Sequence, residues 1–205
     1  IQMDYRYIVE YAKRNAIAPL DEFVGGALKL DGFDEDQLEG GKVDGKLYGV
    51  SLGANSVAQL VNVSAFEEAG VEPPNRDTTY ADIVAMGEAF KSKNIRGGMK
   101  VISDGSGSEP DDLTITSYPR IAAGVGGGHY RKPSMFFSVG GSSANKEAAA
   151  AYLSFFVNDA EAGKVLGVER GIPCVSAVRE VVASTLGEKD QVALNFVANL
   201  GDLLG

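Results

Sequence analysis

Residues 46–62, KLYGVSLGANSVAQLVN, read as two extended stretches laid end to end. Leu47, Gly49 and Ser51 alternate with Tyr48, Val50 and Leu52. After a break at Gly53-Ala54-Asn55 the alternation resumes, with Val57, Gln59 and Val61 on one parity and Ala58, Leu60 and Asn62 on the other. The small-residue break leaves no room for a hairpin. A chain with this feature has to leave one strand and carry straight on into another.

The rest of the chain alternates strand and helix patterns, which makes the fold class α/β. Helical spacing predicts a helix over 5–16, a surface helix or loop around Asp34–Glu39, and a short helix in SAFEEAG. A further helix is expected from 80 onward, with Asp77, Thr78 and Thr79 available as caps. In NKEAAAAYLSFFVND, residues Ala149, Tyr152, Leu153, Phe156 and Val157 form the buried stripe and Asn145 offers a cap. Three more helices are expected in DAEAGKVLG, SAVREVVASTL and KDQVALNFVANLGDLL. VDGKLYGVSL reads as a hairpin turning on Asp44-Gly45, and MKVIS, LTITSYP and PSMFFSVGG read as strands. Gly- and Ser-rich loops at 52–56, 103–112 and 124–132, and the break at 168–173, are where binding groups are expected on such a scaffold.

Charge and composition exclude several functions. The 205 residues carry a net charge of −9, the wrong sign for nucleic acid or an anionic membrane surface. The single cysteine, Cys174, rules out an internal disulfide and reads as a half-buried small hydrophobe in GIPCVSAV. GVGGGH is followed by a proline and a strand, not by the helix that a dinucleotide fingerprint opens. DGFDED has the charge of a calcium loop without its fixed Gly and Glu. One histidine and one cysteine cannot make a transition-metal cluster, and neither a metal nor any other cofactor is expected. A Ser–His–Asp arrangement stays open by composition, but there is no G-x-S-x-G elbow.

Several stretches, in order, resemble one family. VDGKLYGVSLGANSVAQLVNVSAFEEAGVEPP is similar to a segment of the extracellular solute-binding proteins of ABC sugar importers, family 1 type. IQMDYRYIVEYAKRNAIAPLDEFV resembles the segment just upstream. GGGHYRKPSMFFSVGGSSANKEAAAAYLSFFVNDAEAGKVLGVERGIPCVSAVRE resembles the C-terminal third. The resemblance implies a two-lobed periplasmic-binding-protein fold, type II-like, with the ligand in a cleft between the lobes. It places lobe one in 1–53 and 119–166 and lobe two in 54–118 and 167–205. It also implies an N-terminal strand–helix–strand unit and a central helical segment that these residues do not carry, and GSEPDDLTIT reads as the junction.

The same resemblance implies binding, not catalysis. The expected ligand is a neutral sugar or related polyol, and the expected partners are the membrane permease subunits of an ABC importer. No nucleic-acid partner is expected, and the protein is expected to be a monomer outside the cytoplasm of a bacterium. A minimal α/β domain hydrolysing glycosides or esters is the alternative. The ligand-binding residues it points to are Asp4, Tyr5 and Arg6 at the first strand-to-helix switch, Asn55 at the first crossing, and Asp104 and Ser106 in SDGSGS. His129 and Tyr130 in GGGHY, expected to be exposed or to line the cleft, and Arg170 on the third crossing complete the set. Gly53 is expected to be a flexing point, so that a β-branched replacement alters closure more than folding.

Overall fold

The computed structural model describes residues 1–95, 113–126 and 128–204. Along the chain lie β1 (Gln2–Met3), α1 (Ile8–Lys13), a 3-10 turn (Asp21–Phe23), α2 (Glu35–Glu39), β2 (Lys42–Val43), β3 (Lys46–Leu47), β4 (Val50–Ser51), β5 (Ala54–Asn55) and β6 (Gln59–Asn62). Next come α3 (Val63–Ala69), α4 (Tyr80–Ser92), β7 (Leu113–Thr116), β8 (Lys132–Pro133) and β9 (Phe136–Phe137). The helices α5 (Lys146–Asn158), α6 (Ala160–Leu166), α7 (Ser176–Ala183) and α8 (Glu188–Ala198) follow, then a 3-10 turn at Gly201–Leu203. The expected strand MKVIS lies outside the described residues.

Two compact units share the chain: the first is Ile1–Asn55 with Arg131–Ala198, the second Ser56–Tyr130 with Asn199–Gly205. The end-to-end strands of 46–62 thus fall in different units, with the division after Asn55.

In the first unit β9 is the middle strand of an antiparallel sheet ordered β1–β9–β4. Gln2 and Val50 stand opposite Phe137, and Met3 and Ser51 opposite Phe136. Because a strand alternates faces, the two phenylalanines build two cores. Phe136, with no exposed surface, packs with Met3, Ile8, Ala12, Ile17 and Val43 beside α1. Phe137 faces α5, where Phe156 meets it edge-on at 4.7 Å, against a core that includes Leu47, Val50, Leu153 and Val157. The hairpin joining β2 to β3 turns on Asp44 (φ 51) and Gly45 (φ 79), the left-handed pair that a two-residue turn of this hand requires.

The helix expected over 5–16 is shorter. Its first residues form a turn instead: Asp4 Oδ1 accepts the Arg6 N–H at 2.8 Å and Asp4 O accepts the Tyr7 N–H at 3.1 Å. This Asx-type turn satisfies donors that a helix start leaves open. Asn145 does not cap α5 with its side chain. Ser143 Oγ accepts the Asn145 N–H at 3.2 Å instead.

Residues 167–198, which the resemblance placed in lobe two, lie in the first unit. The physical reason is packing. A Cβ on Gly163 of α6 would sit 2.5 Å from Val178 Cγ1 of α7, so the two helices meet with nothing between them. Leu194 and Val197 of α8 then bury against Ala54, Ile172 and Cys174. Residues 119–130 lie in the second unit for a similar reason: Arg120 donates its N–H to Thr78 O at 2.8 Å and accepts from the Tyr80 N–H at 3.0 Å.

The second unit pairs β6 with β7 antiparallel over four residues, Gln59 opposite Thr116 through Asn62 opposite Leu113. Asn62 Oδ1 caps α3 by accepting the Ala65 N–H at 3.1 Å. Thr79 and Asp82 form a reciprocal capping box at the start of α4. Phe66 and Phe90 lock α3 to α4 edge-on at 4.8 Å.

Candidate functional site

In the first unit, contacts through Lys132 and Gly171 link the segments that carry three of the expected residues, Tyr5, Asn55 and Arg170. Tyr5 is 45% exposed and stacks at a tilt on Phe136, centroids 6.1 Å apart and planes 29° from parallel. The Phe136 ring belongs to the core, so the tyrosine rests on a fixed platform. Lys132 holds its ammonium 6.0 Å from the Tyr5 centroid. In the β5–β8 ladder Lys132 stands opposite Asn55, whose side chain is exposed. Asn55 Oδ1 in turn abuts Gly171, where a Cβ would approach it to 2.8 Å. Arg170 precedes that glycine and is exposed; its carbonyl accepts from the Ser134 hydroxyl.

The backbone beneath is tightly set. Ala54 N–H donates to Ile172 O at 2.7 Å and Ile172 N–H returns the bond to Ala54 O at 3.0 Å. Ser134 N–H donates to Gly53 O at 2.8 Å. Segments 53–55, 132–134 and 170–172 are therefore one small hydrogen-bonded array. Arg131 secures its edge by a fork onto Asp36, at 2.7 and 2.8 Å, with Asp34 at 3.3 Å. Burial alone would raise the Asp36 pKa; the Arg131 hydrogen bonds and charge, with a Gln37 hydrogen bond, together outweigh it and hold the carboxyl below its usual 3.8.

Asp4 and Arg6 flank Tyr5 in the turn before α1, both exposed. The Arg6 guanidinium stands 5.9 Å from the Tyr7 ring centroid. Lys132 was not singled out from the sequence. Its signal was there as a basic residue in YRKP within an acidic chain, but only the ladder register puts it beside Asn55.

Tyr130 is exposed and belongs to the second unit, whereas His129 is a correction. Expected to be exposed or to line a cleft, it is only 2% exposed. Its Nε2 accepts the Tyr118 N–H at 2.8 Å and its own N–H donates to Leu203 O at 2.9 Å. The ring holds the strand exit after β7, and the His129 backbone N–H holds the C-terminal 3-10 turn. Burial pushes its pKa below 6.5, a Val57 backbone hydrogen bond pulls the other way, and the Arg120 charge lowers it further. Protonation would also convert the Nε2 acceptor into a donor facing the Tyr118 N–H. The unfolded chain then binds the proton more readily than the folded one, so stability is full above pH 6.5 and is lost as pH falls toward the lower folded value. Melting followed between about pH 7 and pH 5 should show this loss in the native protein. His129→Gln, which keeps a side-chain acceptor but does not titrate, should flatten it.

Asp104 and Ser106 lie outside the described residues. Cys174 is 3% exposed, and burial pushes its thiol up to about 12, the Ser51 contact lowering it only in part. The side chain is a neutral thiol packed against Ser51 and Gln37, as suits a structural residue. Among the described residues, no three His, Cys, Asp or Glu side chains stand close enough to hold a metal ion. No helix there is long and apolar enough to cross a membrane.

Comparison with known proteins places these observations. The family model described as bacterial extracellular solute-binding protein matches residues 1–132. An extracellular solute-binding protein of family 1 from Alicyclobacillus acidocaldarius superposes with a TM-score of 0.78 at 18% identity, over 99% of this chain and 71% of that one. A periplasmic oligogalacturonide binding protein from Yersinia enterocolitica gives 0.66 at 16% identity, over 98% and 71%. An ABC substrate-binding protein from Listeria monocytogenes, in complex with cycloalternan, gives 0.67 at 14% identity, over 96% and 72%. At such identities the likeness gives the fold, the two-lobed α/β architecture that the resemblance implied. Proteins of this kind bind a solute and do not turn it over. The chain belongs to the bacterial extracellular solute-binding protein family.

Proposed function

We propose that the protein binds a sugar or sugar-like solute outside the cytoplasm and delivers it to the permease of an ABC importer by hinge closure. The observation that carries the reading is the exposed Tyr5 ring, stacked at a tilt on Phe136, with the Lys132 ammonium near it and Asn55 opposite Lys132 in the ladder. A fixed aromatic face next to hydrogen-bonding groups suits a pyranose, which has C–H patches on its faces and hydroxyls around its edge. The oligogalacturonide and cycloalternan named for two structural relatives are both carbohydrates, which supports the same class of ligand.

Asn55 supplies a donor and an acceptor together, the pattern that a hydroxyl needs. Closure follows where the ligand contacts both units, because only such contacts favour the closed state.

A melting-point panel of sugars, polyols, amino acids and metal salts tests the proposal. A rise with one or more sugars and with neither amino acids nor metals is the expected outcome; the reverse pattern contradicts it. Tyr5→Ala and Asn55→Ala should each weaken that sugar by about tenfold, the scale of one lost stacking or hydrogen-bond contact. Titration calorimetry reads the change, and because both side chains are exposed the melting point without sugar should barely move.

A further inference from the structure

We infer that the face built around Tyr5 selects a sugar bearing a carboxylate, a uronic acid, with Lys132 as the partner of that carboxylate. The inference rests on the proposed sugar-binding role and names the substrate class for the same face.

Two neighbouring cations in the chain are treated in opposite ways. Arg131 is neutralised by Asp36 and Asp34. Lys132, the next residue, has no carboxylate within ion-pair distance among the described residues, although acidic side chains outnumber Lys and Arg by 28 to 19. Its ammonium is instead held near the Tyr5 ring, where a ligand stacked on that ring must pass.

Two further cations flank these residues in sequence. Arg6 follows Tyr5, and Arg170 precedes the glycine that abuts Asn55; neither has an ion-pair partner among the described residues. Asp4, which precedes Tyr5, turns an oxygen onto the Arg6 N–H at 2.8 Å. In a chain of net charge −9, an anionic ligand is disfavoured at long range. The Lys132 ammonium, with no carboxylate partner and beside a stacking ring, therefore marks the place where an anion is tolerated. A neutral sugar gains only ordinary hydrogen bonds there, and a carboxylate at its edge adds a charge-assisted one. Lys132, already ordered by its strand and the ring beneath it, reaches that carboxylate with less loss of freedom than a disordered side chain.

The test compares sugars that differ only in oxidation at C6: glucuronate with glucose, galacturonate with galactose, and digalacturonate as a longer acid. Titration calorimetry on the native chain at low salt should show at least one acid binding about tenfold or more tightly than its neutral partner, the scale of a single charge-assisted hydrogen bond. Raising the salt should narrow the gap. In Lys132→Met the preference should shrink to about threefold or less, with the acid losing most, and Lys132→Arg should restore much of it. Neutral sugars that bind as tightly as the acids overturn the inference and leave the sugar reading standing. So does a Lys132→Met variant that melts normally and keeps the full preference. If none of the sugars binds, the sugar reading falls, and this inference with it.

Discussion

Gly53→Val should unfold the first unit more readily, lowering the melting temperature by about 6–12 °C, which corresponds to about 3 kcal/mol for a chain of this size. Any side chain at this position places a Cβ 2.4 Å from Arg170 O and 2.8 Å from Gly171 C. Both are backbone atoms and cannot rotate aside. They are also pinned, since the neighbouring Ala54 and Ile172 exchange two hydrogen bonds, so relief of the clash means breaking that array. The expectation from sequence, that a β-branched residue at 53 changes closure more than folding, is replaced by a packing requirement inside one unit. Gly53→Ala meets the same atoms and should lose stability in the same direction. Circular dichroism melting reads both. A native melting temperature with altered ligand affinity would restore the hinge reading.

Phe136→Ala should cost about 3–5 kcal/mol, the range for deleting a fully buried aromatic side chain. The ring has no exposed surface and touches β1, α1 and the hairpin strand that carries Val43. It is also the floor under Tyr5, at 6.1 Å. The two roles separate with Phe136→Leu, which fills much of the volume and should cost about 1 kcal/mol. Without a flat ring below, Tyr5 loses its fixed orientation, and sugar affinity should fall by less than in Tyr5→Ala while the fold persists. Chemical denaturation gives the first number and calorimetry the second. A Phe136→Leu variant with native affinity would show that Tyr5 does not need its platform.

What the sequence revealed follows the range of the interactions involved. Asp44-Gly45 announces its turn because the left-handed backbone is a local requirement. Thr79, one of three caps expected before α4, is likewise settled within three residues, by its exchange with Asp82. The Phe136–Phe137 strand was readable as a strand, but which ring faces α1 and which faces α5 depends on pairing with β1 and β4. Assignment of α7 and α8 to the first unit could not be read, because it turns on a close approach of Gly163 to Val178.

The candidate site divides in the same way. Tyr5 and Asn55 were expected in the site because the resemblance puts the first strand-to-helix switch and the first crossing at the cleft. Lys132 was missed because its relevance comes from a ladder register with a distant strand. His129 was misread for a related reason. Glycines around a histidine suggest an open loop, yet its partners are the Tyr118 N–H and the Leu203 carbonyl, neither of them nearby in sequence.

Hydrogen–deuterium exchange with and without the sugar that gives the largest melting shift tests the central claim most directly. Binding at the Tyr5 face should slow exchange in 4–7, 53–55, 131–134 and 170–172 together, because these segments line the proposed site. Slowed exchange elsewhere in the first unit, with these four segments unchanged, would contradict it.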